Sequence, residues 1–255
     1  MRCGACSTAT TLRTEAEGCV WAKGRIAERP DSLHRGIGDH RGMLRYRIVP
    51  VTPFQQNCSL VWCDHTGDAV LIDPGGEAPR LVQAVRDEGV KLVALWLTHA
   101  HIDHAGATGE LAARLGVPVE GPHEDERFWL DQLGAQSRMF GFPPARPFTP
   151  DRWLVDGDVV DVGGEALAVL HTPGHTPGHV VFFHAPSRLA IVGDVLFAGS
   201  IGRTDFPRGD YQTLIDAIRN KLWPLGNDVQ FIPGHGPMST FGAERRNNPF
   251  VGDHA

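Results

Sequence analysis

Residues 98–106 read Thr-His-Ala-His-Ile-Asp-His-Ala-Gly and put His99, His101, Asp103 and His104 directly after the apolar run 92–97. Ionisable groups gathered at the end of a core strand are costly in low dielectric unless a cation or hydrogen bonds compensate them. Three imidazoles and a carboxylate therefore ask for a metal, and that donor set suits Zn, Fe or Mn. No thiolate belongs to the run, so an open catalytic site fits better than a closed structural zinc. The competing reading of this run alone is a His-rich surface turn.

Three later segments repeat the arrangement. His171, His175 and His179 occupy a loop stiffened by Pro173 and Pro177, after the apolar run 167–170. The β-rich run 190–193 ends in Gly193 and Asp194, and the run 231–233 ends at His235, which has a glycine on each side. Four strand ends thus each present a metal-type ligand.

These residues resemble the metallo-β-lactamase superfamily, whose signature is Thr-His-x-His-x-Asp-His followed by separated His, Asp and His ligands. The resemblance covers residues 44–250 and implies an αββα sandwich of the α/β class. It also implies two divalent metal ions, Zn2+ first and Fe or Mn as alternatives. His99, His101 and His175 then correspond to ligands of one metal, Asp103, His104 and His235 to ligands of the other, and Asp194 to the bridge.

Within the superfamily, residues 193–207 and 233–241 look like the short bacterial glyoxalase II-like hydrolases. These are similar to hydroxyacylglutathione hydrolase, which cleaves the thioester of S-lactoylglutathione, but lack its C-terminal helical glutathione-binding domain; 20 residues follow His235 here. The resemblance implies catalytic roles for Asp103 and Asp194, and a contact between Arg203 and the glutathione glycyl carboxylate. An Arg fork suits a carboxylate, although an ion pair with Asp205 is the other use open to Arg203. Asp205 itself stands where glyoxalase II carries a tyrosine. Arg245 and Arg246 either replace the missing C-terminal cations or are solvated.

Two metals sharing a water would lower its pKa from ~15.7 toward ~7 and polarise a thioester carbonyl. A glutathione thiolate, with a pKa near ~8.5, can leave without a catalytic acid. A second reading comes from residues 202–206, which also resemble the persulfide dioxygenases, with one Fe(II) on His99, His175 and Asp194. A lactamase is the weaker third, because the ligand set includes Asp103 and no Cys. Asp73, at the end of another strand, either orients a ligand or caps a turn. His171 and His179 are read as structural or ligand-orienting, and His34, His40, His65, His123 and His184 as solvated.

Elements positioning these residues follow from the pattern of the chain. The 255 residues, 42% hydrophobic, suffice for one α/β domain over residues 43–255. A formal charge of −6, with no basic cluster, argues against nucleic acid, and no apolar run approaches a membrane span. A small-molecule thioester is the expected partner and the cytoplasm the expected compartment; oligomeric state is not legible. Five cysteines, Cys3, Cys6, Cys19, Cys58 and Cys63, form no disulfide framework. Residues 1–42 lack a sustained period and are expected to be a disordered extension, with Met43 as natural initiator and a transit peptide as the alternative.

Strands are expected over 44–51, 57–63 and 68–73 as an antiparallel meander, then a helix over 77–88, a strand over 92–98 and one helix over 103–115 closed by Gly116. Short strands recur from 153 to 193, followed by a helix over 211–222 and a last strand over 229–232. The aromatic-rich stretch 123–150 suits a helix and a Pro-rich loop, its side chains expected in the core rather than in a substrate wall.

Overall fold

A computed structural model describes residues 42–255. The expected N-terminal extension, with Cys3, Cys6, Cys19, His34 and His40, lies outside the described residues. Strands β1 (Leu44–Val51), β2 (Gln56–Cys63) and β3 (Asp68–Ile72) pair as the expected antiparallel meander. Helix α1 (Ala78–Asp87) then crosses over to β4 (Lys91–Trp96), which runs parallel to β3 and is followed at the sheet edge by β5 (Val119–Glu120).

The second sheet contains β6 (Val159–Val162), β7 (Glu165–His171), β8 (Val180–His184) and β9 (Leu189–Gly193). A small hairpin follows, β10 (Leu196–Phe197) with β11 (Ser200–Ile201). β12 (Gln230–Pro233) then pairs parallel to β9, and β13 (Ser239–Thr240) closes the edge.

Side-chain alternation along these strands divides the core into layers, because successive residues point to opposite faces. Val61, Val70, Ile72 and Trp96 face Leu167, Val169 and Phe182 between the sheets, where the Trp96 and Phe182 rings stack with centroids 5.4 Å apart. Leu60, Leu71 and Leu95 face outward and are covered by Leu81 of α1 and by Leu111. Phe183, Ala190 and Phe231 are covered by Leu214 and Ile218 and by Phe241. Helix, sheet, sheet, helix is the expected αββα order. Among the described residues no helix is long and apolar enough to cross a membrane.

Several elements differ from expectation. The helix expected over 103–115 is two, α2 (Ile102–Ala105) and α3 (Thr108–Leu115). Between them the Ala107 N–H donates to the Pro74 carbonyl, 3.0 Å, and leaves the helical ladder. The stretch 123–150 forms a 3₁₀ turn (Glu124–Glu126) and two short helices, α4 (Arg127–Leu130) and α5 (Leu133–Phe140). Helix α6 (Tyr211–Ala217), capped by Asp210, ends in a π turn (Ile218–Leu222), and α7 (Phe241–Asn247) is capped by Thr240. His184 is not solvated: it is buried between Ser187 and Glu165, at 2.7 and 3.0 Å. Cys58 and Cys63 are free and buried in β2.

Backbone crowding brings α2 against the end of β3. A Cβ on Gly75 would overlap the Asp103 carbonyl oxygen, with no flexible side chain there to give way. Gly75→Ala is therefore expected to cost at least about 1–3 kcal/mol in urea unfolding. Gly134→Ala, on α5 where a Cβ would meet only the Arg138 guanidinium at an ordinary contact distance of 3.9 Å, should instead stabilise by roughly 0.5–1 kcal/mol.

Candidate metal centre

β3 and β4 run parallel, as do β9 and β12, so their carboxyl ends gather at one edge of the sandwich. Loops leaving those ends, and the end of β7, carry the expected ligands, and all seven side chains converge. His101 Nδ1 lies 3.0 Å from His175 Nε2, and His99 completes a trio whose donor atoms are within 4.8 Å of one another. Beside it, Asp103 Oδ2 is 3.2 Å from His235 Nε2 and 3.9 Å from His104 Nε2. Asp194 touches both groups, with Oδ1 3.3 Å from His104 Nε2 and Oδ2 3.7 Å from both His175 and His235 Nε2. Metal–nitrogen bonds of about 2.0–2.1 Å place the donors of one cation roughly 3–3.5 Å apart, which matches the shorter of these separations.

Four of the imidazoles are aimed by hydrogen bonds on their far nitrogens. The His175 Nδ1–H donates to the Arg203 carbonyl at 2.7 Å, and that of His235 to the Phe54 carbonyl at 3.1 Å. The His104 Nδ1–H donates to Asp73 Oδ2 at 3.0 Å. Thr98 Oγ1 donates to Asp73 Oδ2 at 2.6 Å and so accepts from His99 Nδ1 at 3.0 Å. Each partner fixes the tautomer that leaves Nε2 as a lone pair directed inward.

His99 Nε2, His104 Nε2 and Asp194 Oδ1 are buried there without a hydrogen-bond partner. Leaving such atoms unsatisfied costs about 1–3 kcal/mol each, and a cation is the group that satisfies lone pairs converging from several sides. Electrostatics agree. Burial, then the nearby imidazoles, hold His99 well below the ordinary histidine range, in the neutral form that ligates. Burial also opposes charge on His104, yet the Asp194 and Asp103 carboxylates outweigh it and hold that ring well above the range, so that without a cation a proton on Nε2 answers the two carboxylates. Two buried carboxylates call for positive charge between them. The donors thus fit a pair of divalent ions.

Asp73 sits outside this set and serves it. Its Oδ1 also accepts the Thr98 N–H at 2.7 Å, so one carboxylate orients both His99 and His104. His179 accepts the Asp194 N–H at 3.1 Å and stacks on the His99 ring. His171 donates to the Pro177 carbonyl at 2.9 Å and stacks on His123, away from the ligands.

Two supporting residues were not singled out in the sequence. Glu126, fully buried, accepts the Ala100 N–H at 2.9 Å and the Gly178 N–H at 2.8 Å, tying the loop of His99 and His101 to the loop of His175. Burial pushes its carboxyl up to about 7 despite those donors. Gln136 accepts the Ile102 N–H at 2.9 Å and donates to the Trp129 carbonyl at 3.0 Å. The acidic run 124–126 held the only signal for Glu126, and nothing separated it there from its exposed neighbours Glu124 and Asp125.

The cluster floors a cleft of about 770 Å3. Arg203 stands at its rim, exposed, and its guanidinium makes a two-pronged pair with Asp205 at 2.9 and 2.8 Å while lying over the Phe206 ring. Arg245 pairs with Asp253 and Asn227. The stretch expected to fill the core is divided: Leu130, Leu133 and Phe142 pack inward, whereas Trp129, Met139 and Phe140 line the cleft.

Fold and ligand geometry together define a dinuclear metal site on an αββα sandwich, and the family model for the metallo-beta-lactamase superfamily matches residues 51–235. The chain belongs to that superfamily. Among its relatives, the protein named hydroxyacylglutathione hydrolase GloC of Haemophilus influenzae is 48% identical over 209 residues, 82% of this chain and 98% of that protein. Two solved structures are similar along nearly their whole length. BLEG-1 B3 metallo-beta-lactamase is 37% identical, with a TM-score of 0.75 over 81% of this chain and 99% of its own. TTHA1623 in a di-iron-bound form is 36% identical, with a TM-score of 0.73 over 80% and 100%.

Glu126→Gln replaces one acceptor oxygen by an amide that faces a backbone N–H. Loosening of the two loops should lower metal affinity about 10–100-fold, read by competition with a chromophoric chelator, with circular dichroism of the protein unchanged.

Proposed function

We propose that this protein is a metal-dependent thioester hydrolase of the glyoxalase II type, cleaving S-lactoylglutathione to lactate and glutathione in the cytoplasm. The observation that carries the reading is the double cluster joined by Asp194, which supplies two cation positions separated by one carboxylate. The name of the Haemophilus relative supports the thioester. Zn2+ is the proposed metal, with His99, His101 and His175 holding one ion, Asp103, His104 and His235 the other, and Asp194 both; the di-iron form of TTHA1623 keeps iron as an alternative.

When bound, two such cations would acidify a shared water and polarise the thioester carbonyl. The chain supplies the rest. Asp103 lines the cleft with Oδ2 3.2 Å from His235 Nε2, where it orients the attacking water. The Arg203 carbonyl and Asp73 hold the imidazoles in the orientation that makes the geometry reproducible. The thiolate leaves unprotonated, since its pKa of ~8.5 makes it a good leaving group. Arg203 binds the glycyl carboxylate by exchanging its partner Asp205, an exposed pair worth little in water.

S-D-lactoylglutathione hydrolysis by the metal-loaded protein, followed by thiol release, tests this directly. Asp194→Ala should abolish turnover and Arg203→Ala should raise KM about tenfold with kcat little changed. Near-normal turnover in Asp194→Ala sinks the ligand scheme. Oxygen uptake with glutathione persulfide, in place of thioester cleavage, would select the one-iron reading on His99, His175 and Asp194.

A further inference from the structure

Resting on the thioester-hydrolase reading, we infer that this cleft takes bulky, apolar acyl groups as well as lactoyl and favours them over it. Beside the metal ligands the wall is aromatic: Trp129 and Phe206 set their rings edge-on to His101, with centroids 4.7 and 4.8 Å away. Further out, Phe54, Met139 and Phe140 line the cleft while remaining 47%, 77% and 44% exposed. Phe54 meets Phe140 and Phe142 edge-to-face, so the rim is one continuous apolar surface. Contiguous exposed apolar surface beside a reactive centre is costly without an occupant, and it marks binding.

Polar side chains in the same wall are largely committed to the protein itself. Gln136 spends its amide on the Ile102 N–H and the Trp129 carbonyl, and Arg203, paired with Asp205 at the rim, is taken by the carrier's glycyl carboxylate rather than by the acyl group. Ser200 turns to the Ile201 carbonyl. Outside the metal cluster, Gln132 and the buried Trp129 Nε1–H are the polar groups of lining residues left without a hydrogen bond among the described residues. A site that selects a hydroxyl does so with groups held ready to bond it, because rejecting the analogue depends on leaving them unpaired. This wall instead gains from each methylene removed from water.

The cleft volume of about 770 Å3 lies in the range that encloses a drug-sized ligand, ~300–1,000 Å3, and its aromatic rim extends away from the metal cluster. A straight or ring-bearing acyl chain running from the metal cluster past Trp129 toward Phe140 covers it.

A series with a constant carrier isolates the acyl group: kcat/KM for acetyl-, butanoyl-, hexanoyl- and D-lactoylglutathione with the metal-loaded protein. Values should climb about fourfold per methylene, and hexanoyl should exceed lactoyl. Phe140→Ala and Met139→Ala, both at exposed positions where truncation costs the fold little, should compress the hexanoyl-to-acetyl ratio several-fold. S-hexylglutathione should also inhibit more tightly than S-methylglutathione. A flat series with lactoyl fastest overturns the acyl inference and leaves thioester hydrolysis standing; cleavage of no thioester at all overturns both.

Discussion

Desolvation of charge is the constraint on which the rest of this structure depends. Five imidazoles and two carboxylates crowd one point at which His99 and His104 have no access to solvent. Such a group is tolerable only when every ring is held in one tautomer and every charge has its opposite. The outer contacts of Asp73, the Arg203 and Phe54 carbonyls and His179 are the means, and each is itself fixed by a strand end or a tight loop. Even the glycines obey it: a Cβ on Gly193 would strike His179, and one on Gly234 would strike Asp194.

Rigid sheets make such tolerances possible. Closely packed interiors transmit strain rather than absorb it, so ligands mounted at the ends of β4, β9 and β12 inherit the precision of the Trp96–Phe182 layer between the sheets. Glu126 adds what the strands do not provide, a direct link between two loops that belong to different sheets. Loops carry chemistry well when scaffold and crosslink leave them one conformation.

Much of this was legible in the sequence because ionisable residues at the ends of apolar runs violate ordinary burial rules, and such violations mark function. The metal-type residues at 99–104, 175, 194 and 235 were readable in that way, the meander from apolar alternation between turn residues, and the layer order from that alternation together with the family resemblance. Other features depend on tertiary partners that leave no local trace. The break before α3 arises from the Pro74 carbonyl, about thirty residues away in the chain. The burial of His184 arises from Glu165 and Ser187. Glu126 looked like one of three solvated acids, and whether Trp129 and Phe140 face the core or the cleft was set by where α4 and α5 dock.

Contribution of both sheets to both clusters has a consequence for how the protein is made. His99, His101, Asp103 and His104 leave the first sheet, but His175, Asp194 and His235 leave the second and follow later in the chain. Neither cluster can close on the nascent N-terminal half. Convergence of the seven side chains is therefore a late event in folding, a clasp that closes only after both sheets are in place.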